Sequence, residues 1–72
     1  MNRQNFILKN EYIALCDLLK VCGVCDSGGA AKHFIAEGNV SVDGQIELRK
    51  TCKIRVGQTV SGAGFAVKVC AA

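Results

Sequence analysis

Seventy-two residues, half of them hydrophobic and 21% charged, make one small domain, too short to enclose both a core and a deep substrate cleft. That apolar fraction excludes disorder, and the odd count of five cysteines excludes a fully paired disulfide framework within the chain. The formal charge of +3 is unevenly spread: Met1–Glu47 holds four basic residues against six acids, whereas Leu48–Ala72 holds Arg49, Lys50, Lys53, Arg55 and Lys68 and no acid, the footprint of a surface for a polyanion.

Met1 to Asn5 is polar and is expected to be loose. Phe6-Ile7-Leu8 suits an edge strand or a segment docked on the first helix. Helical spacing begins at Tyr12, with Glu11 near the helix start, where the macrodipole favours an acid. Leu15, Leu18, Leu19 and Cys22 form one stripe at i, i+3, i+4 and i+7, and Gly23 is the expected left-handed stop. No charged-then-apolar leader opens the chain, and the apolar run from Tyr12 to Cys25, interrupted by Asp17 and Lys20, is too short to cross a bilayer. Free thiols in a reducing cytoplasm fit this cysteine usage.

Asp26 or Ser27 is expected to cap a second helix whose first turn holds Gly28 and Gly29. Two glycines there weaken the helix, an expense that close approach of another backbone, or of a phosphate, to their amides would offset, and tight packing of the second helix on the first is the equal alternative. Ala31, Phe34 and Ile35 form the inward stripe, Lys32, His33 and Glu37 lie off it, and Gly38 is the stop. Val40-Ser41-Val42 then reads as a strand and Asp43-Gly44 as a hairpin turn. Matching apolar residues across the hairpin favours a three-residue loop, Val42-Asp43-Gly44, with a bulge at Gly44 and Val40 opposite Ile46. Leu48 to Cys52 places the basic cluster on a bend. Gly57-Gln58 is a turn between short strands at Ile54, Val56 and Val60, and Gly62-Ala63-Gly64 is the next turn. Phe65, Val67 and Val69 alternate with Ala66 and Lys68 as a half-buried last strand. The expected architecture is α+β: two short N-terminal helices packed on a small, mostly antiparallel sheet of four to five strands, all in one domain over residues 1–72.

Three constellations bear on chemistry. Cys22-Gly23-Val24-Cys25 has metal or redox spacing, but the second pair that a structural zinc needs is missing, and Cys16 and Cys22 sit on or beside a packed stripe. No metal, cofactor or catalytic role is therefore expected, and no residue has a spacing that would make a triad with the single His33. Arg49, Lys50, Lys53 and Arg55 lie within seven residues and suit neutralisation of several phosphates. With few exposed aromatics for stacking, recognition of folded RNA by shape and backbone is favoured over reading of single strands.

From Ala14 to Gly44 the chain resembles the RNA-binding domain first described in ribosomal small-subunit protein four, the S-four domain. That pattern runs R-L-D-x-x-L, a glycine four residues before S-R, then A-x-x-x-I and G-x-V-x-V-N-G. Without a gap it meets Leu15, Leu19, Gly23, Ser27, Ala31, Ile35, Gly38, Val40, Val42 and Gly44. A later V-x-x-G-D-x-V element resembles Ile54 to Val60, so the core motif covers residues 14–60. The chain departs from the pattern at Ala14, Cys16, Gly28 and Asp43, where the family has arginine, aspartate, arginine and asparagine. Short bacterial proteins that consist of little besides this domain and carry Ser-Gly-Gly are the most similar group. The resemblance implies a non-catalytic monomer that binds structured RNA (ribosomal, transfer or regulatory) and has a ribosomal or RNA–protein assembly as partner. The residues expected to meet RNA are Lys20, Ser27, Gly28, Gly29, Lys32, His33, Arg49, Lys50, Lys53 and Arg55. An assembly adaptor with weak RNA affinity is the alternative, and a small cysteine-based metal or redox protein is the third reading.

Overall fold

Residues 2–72 are described by the computed structural model, and their order is β1 (Asn2–Leu8), β2 (Ile13–Ala14), α1 (Leu15–Val21), α2 (Gly28–Ala36), β3 (Val40–Val42), β4 (Gln45–Ile46), β5 (Lys53–Ile54), β6 (Thr59–Gly62) and β7 (Phe65–Ala71). A five-stranded mixed sheet runs β1-β7-β6-β3-β4, and β2 and β5 form a separate two-stranded ladder. The α+β expectation holds. The alternation of β7 buries Phe65, Val67 and Val69 toward the helices and turns Lys68 outward. Against them lie Leu15, Leu18 and Leu19 of α1 and Ala31 and Ile35 of α2, with Leu8, Cys16, Val40, Ile54 and Val60 completing the core. Neither helix is long and apolar enough to cross a membrane.

The N-terminus is not loose over Asn2–Asn5. Those residues open β1, which pairs in parallel with β7 from Asn2↔Phe65 to Leu8↔Ala71. Met1 lies outside the described residues. Polar Arg3, Gln4 and Asn5 belong to an edge strand exposed to water, so the strand lacks the apolar alternation that would have announced it. Its partner is the other end of the chain, and parallel pairing across such a separation leaves no local signature.

The first helix also starts later than its spacing suggests. Tyr12 and Glu11 precede it, Ile13-Ala14 pair with Ile54-Lys53, and Ala14 is extended at the N-cap without a side-chain bond. The Leu15 and Cys16 amides instead donate to the carbonyls of Cys52 (2.9 Å) and Lys50 (3.0 Å). A distant loop thus satisfies the helix start, which no local sequence pattern could announce. The C-terminal stop is as expected, with Gly23 at φ +76°.

The hairpin has a two-residue loop, not three. Val42 pairs with Gln45 and Ser41 with Ile46, while Asp43 (φ +51°) and Gly44 (φ +85°) both adopt the left-handed backbone of a type I′ turn. Register matching failed here because Ile46 is 67% exposed: β4 has no buried face to satisfy, so turn chemistry decides. Asp43 also reaches across the sheet, its N–H donating to Thr59 O (2.8 Å) and its Oδ1 accepting from the Thr59 N–H (2.9 Å). Val56 is 48% exposed, and the Gly57-Gln58 turn joins strands of different sheets.

Candidate nucleic-acid interface

Apart from Lys20, the expected site residues fall into two groups, one on α2 and one around the start of α1. On α2, Ser27 is the cap: its Oγ accepts from the Ala30 N–H at 3.1 Å, and its carbonyl accepts from the Ala31 N–H. The Gly28 and Gly29 amides have no acceptor among the described residues. Neither glycine has a positive φ; an added Cβ would meet nothing within 4 Å at Gly28 and only Ser27 Oγ, at 3.9 Å, at Gly29. Tight packing of the helices therefore does not account for the pair. Lys32 and His33 follow four residues later and are exposed, one turn along the helix from the free amides. Lys20 is exposed in the last turn of α1.

The second group is built by the loop that caps α1. Because Cys52 and Lys50 give their carbonyls to the helix start, Arg49, Lys50 and Lys53 are held there on a fixed backbone. One open depression is lined by Asp43 and Gln45 of the hairpin together with Arg49 and Lys53, so the turn and the basic loop share a surface. No hydrogen bond or ion pair among the described residues joins this group to the one on α2.

The acid-free half of the sequence is not acid-free in space. Glu47 accepts from Arg49 Nε (3.0 Å) and the Arg49 backbone N–H (2.9 Å) at Oε2, and from Nη2 (3.1 Å) at Oε1. Arg55 lies 3.7 Å from Glu11. Both acids precede the basic stretch and were outside the expected site. Lys50, Lys53 and Lys68 have no carboxylate partner among the described residues.

Hydrogen bonds from the Arg49 guanidinium and then from its backbone N–H hold the Glu47 carboxyl down at about 2. Being below the unfolded value of about 4.3, this pKa gives a stabilising contribution that is complete above that value and lost as pH falls through about 2. The Arg49 Hε resonance is therefore expected to stay unchanged from neutral pH to about 4 and to titrate with a midpoint near 2 in NMR spectra. A midpoint at the ordinary carboxylate value would contradict the clamp. Burial pushes the Cys22 thiol up, and burial followed by the Asp26 charge does the same for Cys25, which disfavours the thiolates that metal or redox chemistry needs.

Comparison with known proteins places these features in a family. Residues 6–70 match the S4 domain. The chain is 57% identical over 63 residues to YbcJ of Escherichia coli (strain K12), covering 88% of this chain and 90% of that one. It is 38% identical over 58 residues to the "Probable ribosome maturation protein RlbA" of Bacillus subtilis (strain 168), covering 81% and 82%. The solution structure of E. coli YbcJ, described as revealing an ALFAL motif involved in RNA-binding, superimposes with a TM-score of 0.69 at 51% identity over 97% of this chain and 87% of that one.

Proposed function

The chain belongs to the S4 domain family, and on that basis and on the two basic groups we propose that it is a non-catalytic, single-domain module that binds structured RNA through backbone and shape contacts. The observation that carries the reading is the pair of unpartnered amides at Gly28 and Gly29, at the start of the helix that also exposes Lys32 and His33. A phosphate placed there meets two N–H donors, the Ser27 hydroxyl and the positive end of a nine-residue helix. Lys50 and Lys53, with Arg49, Arg55 and Lys20 at the margins, hold neighbouring backbone segments. Ribosomal RNA is the class we favour, on the support of RlbA's name, which refers to ribosome maturation, and of YbcJ's structure, described by an RNA-binding motif; transfer and regulatory RNA are the alternatives. The protein acts as a cytoplasmic monomer, and an assembling ribosomal particle is the partner that follows.

Binding to a labelled RNA stem-loop, followed by fluorescence anisotropy, tests this. Three or so neutralised phosphates predict a loss of about 10- to 100-fold in affinity between roughly 50 and 200 mM salt, and Lys50→Gln is expected to reduce the slope of log K against log salt by about one. No binding at 50 mM salt, or binding indifferent to salt, would refute the reading.

The adaptor alternative draws on one specific observation. Arg49 and Arg55 are tied to Glu47 and Glu11, and Ala14 and Gly28 stand where the family carries arginines, so the positive surface is thinner than the sequence suggests. Partners that survive nuclease treatment of a pull-down would favour it.

A further inference from the structure

Tyr12 is the one tyrosine of a chain without tryptophan. The three phenylalanines belong to the interior: Phe65 is 6% exposed, and Phe6 and Phe34 pack against the core. Tyr12, by contrast, is 42% exposed, and its hydroxyl bonds to nothing among the described residues. The β2–β5 ladder explains its surroundings. Ile13 pairs with Ile54 and Ala14 with Lys53, so continuing the register sets Tyr12 opposite Arg55 and diagonal to Lys53. Ile54 points into the core, which turns Lys53 and Arg55 outward on the same side. Lys53 Nζ lies 5.0 Å from the Tyr12 ring centroid, and Arg55 Cζ lies 5.7 Å from it. Glu11 lies 3.7 Å from Arg55.

From this we infer that Tyr12, with Arg55 and Lys53, is a stacking site for one unpaired nucleobase beside a paired RNA segment. The inference rests on the RNA-binding reading above and adds a base-contacting subsite to it. An aromatic ring and a guanidinium plane, held together and half open to water, present two surfaces on which an extruded base stacks. Lys53 beside them meets the phosphate of the same nucleotide, because one ribose carries the base at C1′ and joins the phosphates of the backbone within a lysine side chain's reach. The core does not require the ring, since Tyr12 lies outside the buried cluster. Exposed aromatic surface next to two cations on the outer face of the ladder suits a ligand that is both planar and anionic.

The test uses two labelled RNA hairpins with the same stem, one fully paired and one with a single bulged adenine, and the full-length wild type, Tyr12→Phe and Tyr12→Leu. Thermal melts check that the variants fold. Wild type and Tyr12→Phe are expected to prefer the bulged hairpin by about tenfold, the usual effect of one base stacked on an aromatic. Tyr12→Leu is expected to bind both hairpins as wild type binds the paired one, with its salt slope unchanged. Equal binding of the two hairpins by wild type, or a preference that survives in Tyr12→Leu, overturns the stacking site while leaving salt-dependent RNA binding in place. A Tyr12→Leu loss that is equal for both hairpins and flattens the salt slope also overturns it, since the ring would then only position Lys53 and Arg55. Wild type that binds neither hairpin at low salt overturns the RNA reading and the stacking site together.

Discussion

Gly28→Asp is expected to weaken binding of a structured RNA by about 10- to 100-fold, the equivalent of losing one charge-assisted phosphate contact. The same substitution is expected to raise the melting temperature. The α2 start has no acid in its first turn, Gly28 has no positive φ, and an added Cβ there meets nothing within 4 Å. An acid at that position interacts favourably with the helix dipole by about 0.3–1 kcal/mol. Removing a glycine also narrows the unfolded ensemble, by about 0.4–1 kcal/mol. Stability and affinity should therefore move in opposite directions, a signature that general damage to the fold cannot mimic. Gly28→Ala separates bulk from charge: it should also stabilise, while its affinity stays within about threefold of wild type because a methyl group leaves the amides open and uncharged. Thermal melts and anisotropy titrations on the same samples read both effects. A Gly28→Asp protein that melts higher and binds as tightly as wild type would remove the phosphate from the start of α2.

Gly62→Ala is expected to cost about 3 kcal/mol, the upper range for forcing a methyl group into a filled space. Gly62 lies in β6 opposite Val40, and its φ is ordinary; space makes it glycine. A Cβ there would overlap the Asn39 carbonyl oxygen and lie 2.5 Å from Phe65 Cε1 and 3.0 Å from Cζ. Neither neighbour can yield. The Asn39 backbone is anchored by its Nδ2 and N–H, which both donate to the Phe34 carbonyl (3.2 and 3.4 Å), and the buried Phe65 ring has Phe34 6.2 Å away. A domain of this size has a total stability of only about 4–10 kcal/mol. The melting temperature should fall on the order of 10–20 °C. Urea unfolding should show a lower midpoint at an unchanged slope. Gly29→Ala serves as the control, since its Cβ would meet only Ser27 Oγ at 3.9 Å. A Gly62→Ala protein melting within about 2 °C of wild type would mean that the β3–β6 approach is looser than described.

The two helices, their glycine stops, the Ser27 cap and the final strand were legible in the sequence because each rests on local chemistry. Spacing at 3.6 residues marked Leu15, Leu18 and Leu19, and strict alternation marked Phe65, Val67 and Val69, all of them buried. The hairpin was legible as a hairpin but not in its register, since exposed Ile46 supplies no constraint and Asp43-Gly44 supplies a turn preference. The candidate site divided in the same way. Ser27, Gly28, Gly29, Lys32 and His33 could be placed on one exposed helix start from spacing alone.

The electrostatics could not be read along the chain. Counting charges by position suggested an acid-free basic strip, yet Glu47, two residues before Arg49, clamps it from the strip's edge, and distant Glu11 folds back onto Arg55. Tyr12 gave no sign of lying beside two cations, because only the β2–β5 ladder brings these distant stretches of the chain into contact. By itself, then, the sequence determined which segments are helices, where they end and which face each buries, since those choices depend on neighbours within a turn or two. Tertiary structure decided how the chain's ends pair as β1 and β7, what caps α1, and which basic groups stay unpaired. Apart from the local Glu47–Arg49 pair, each of these is a contact between distant residues, and its free energy exists only once the chain between them has closed.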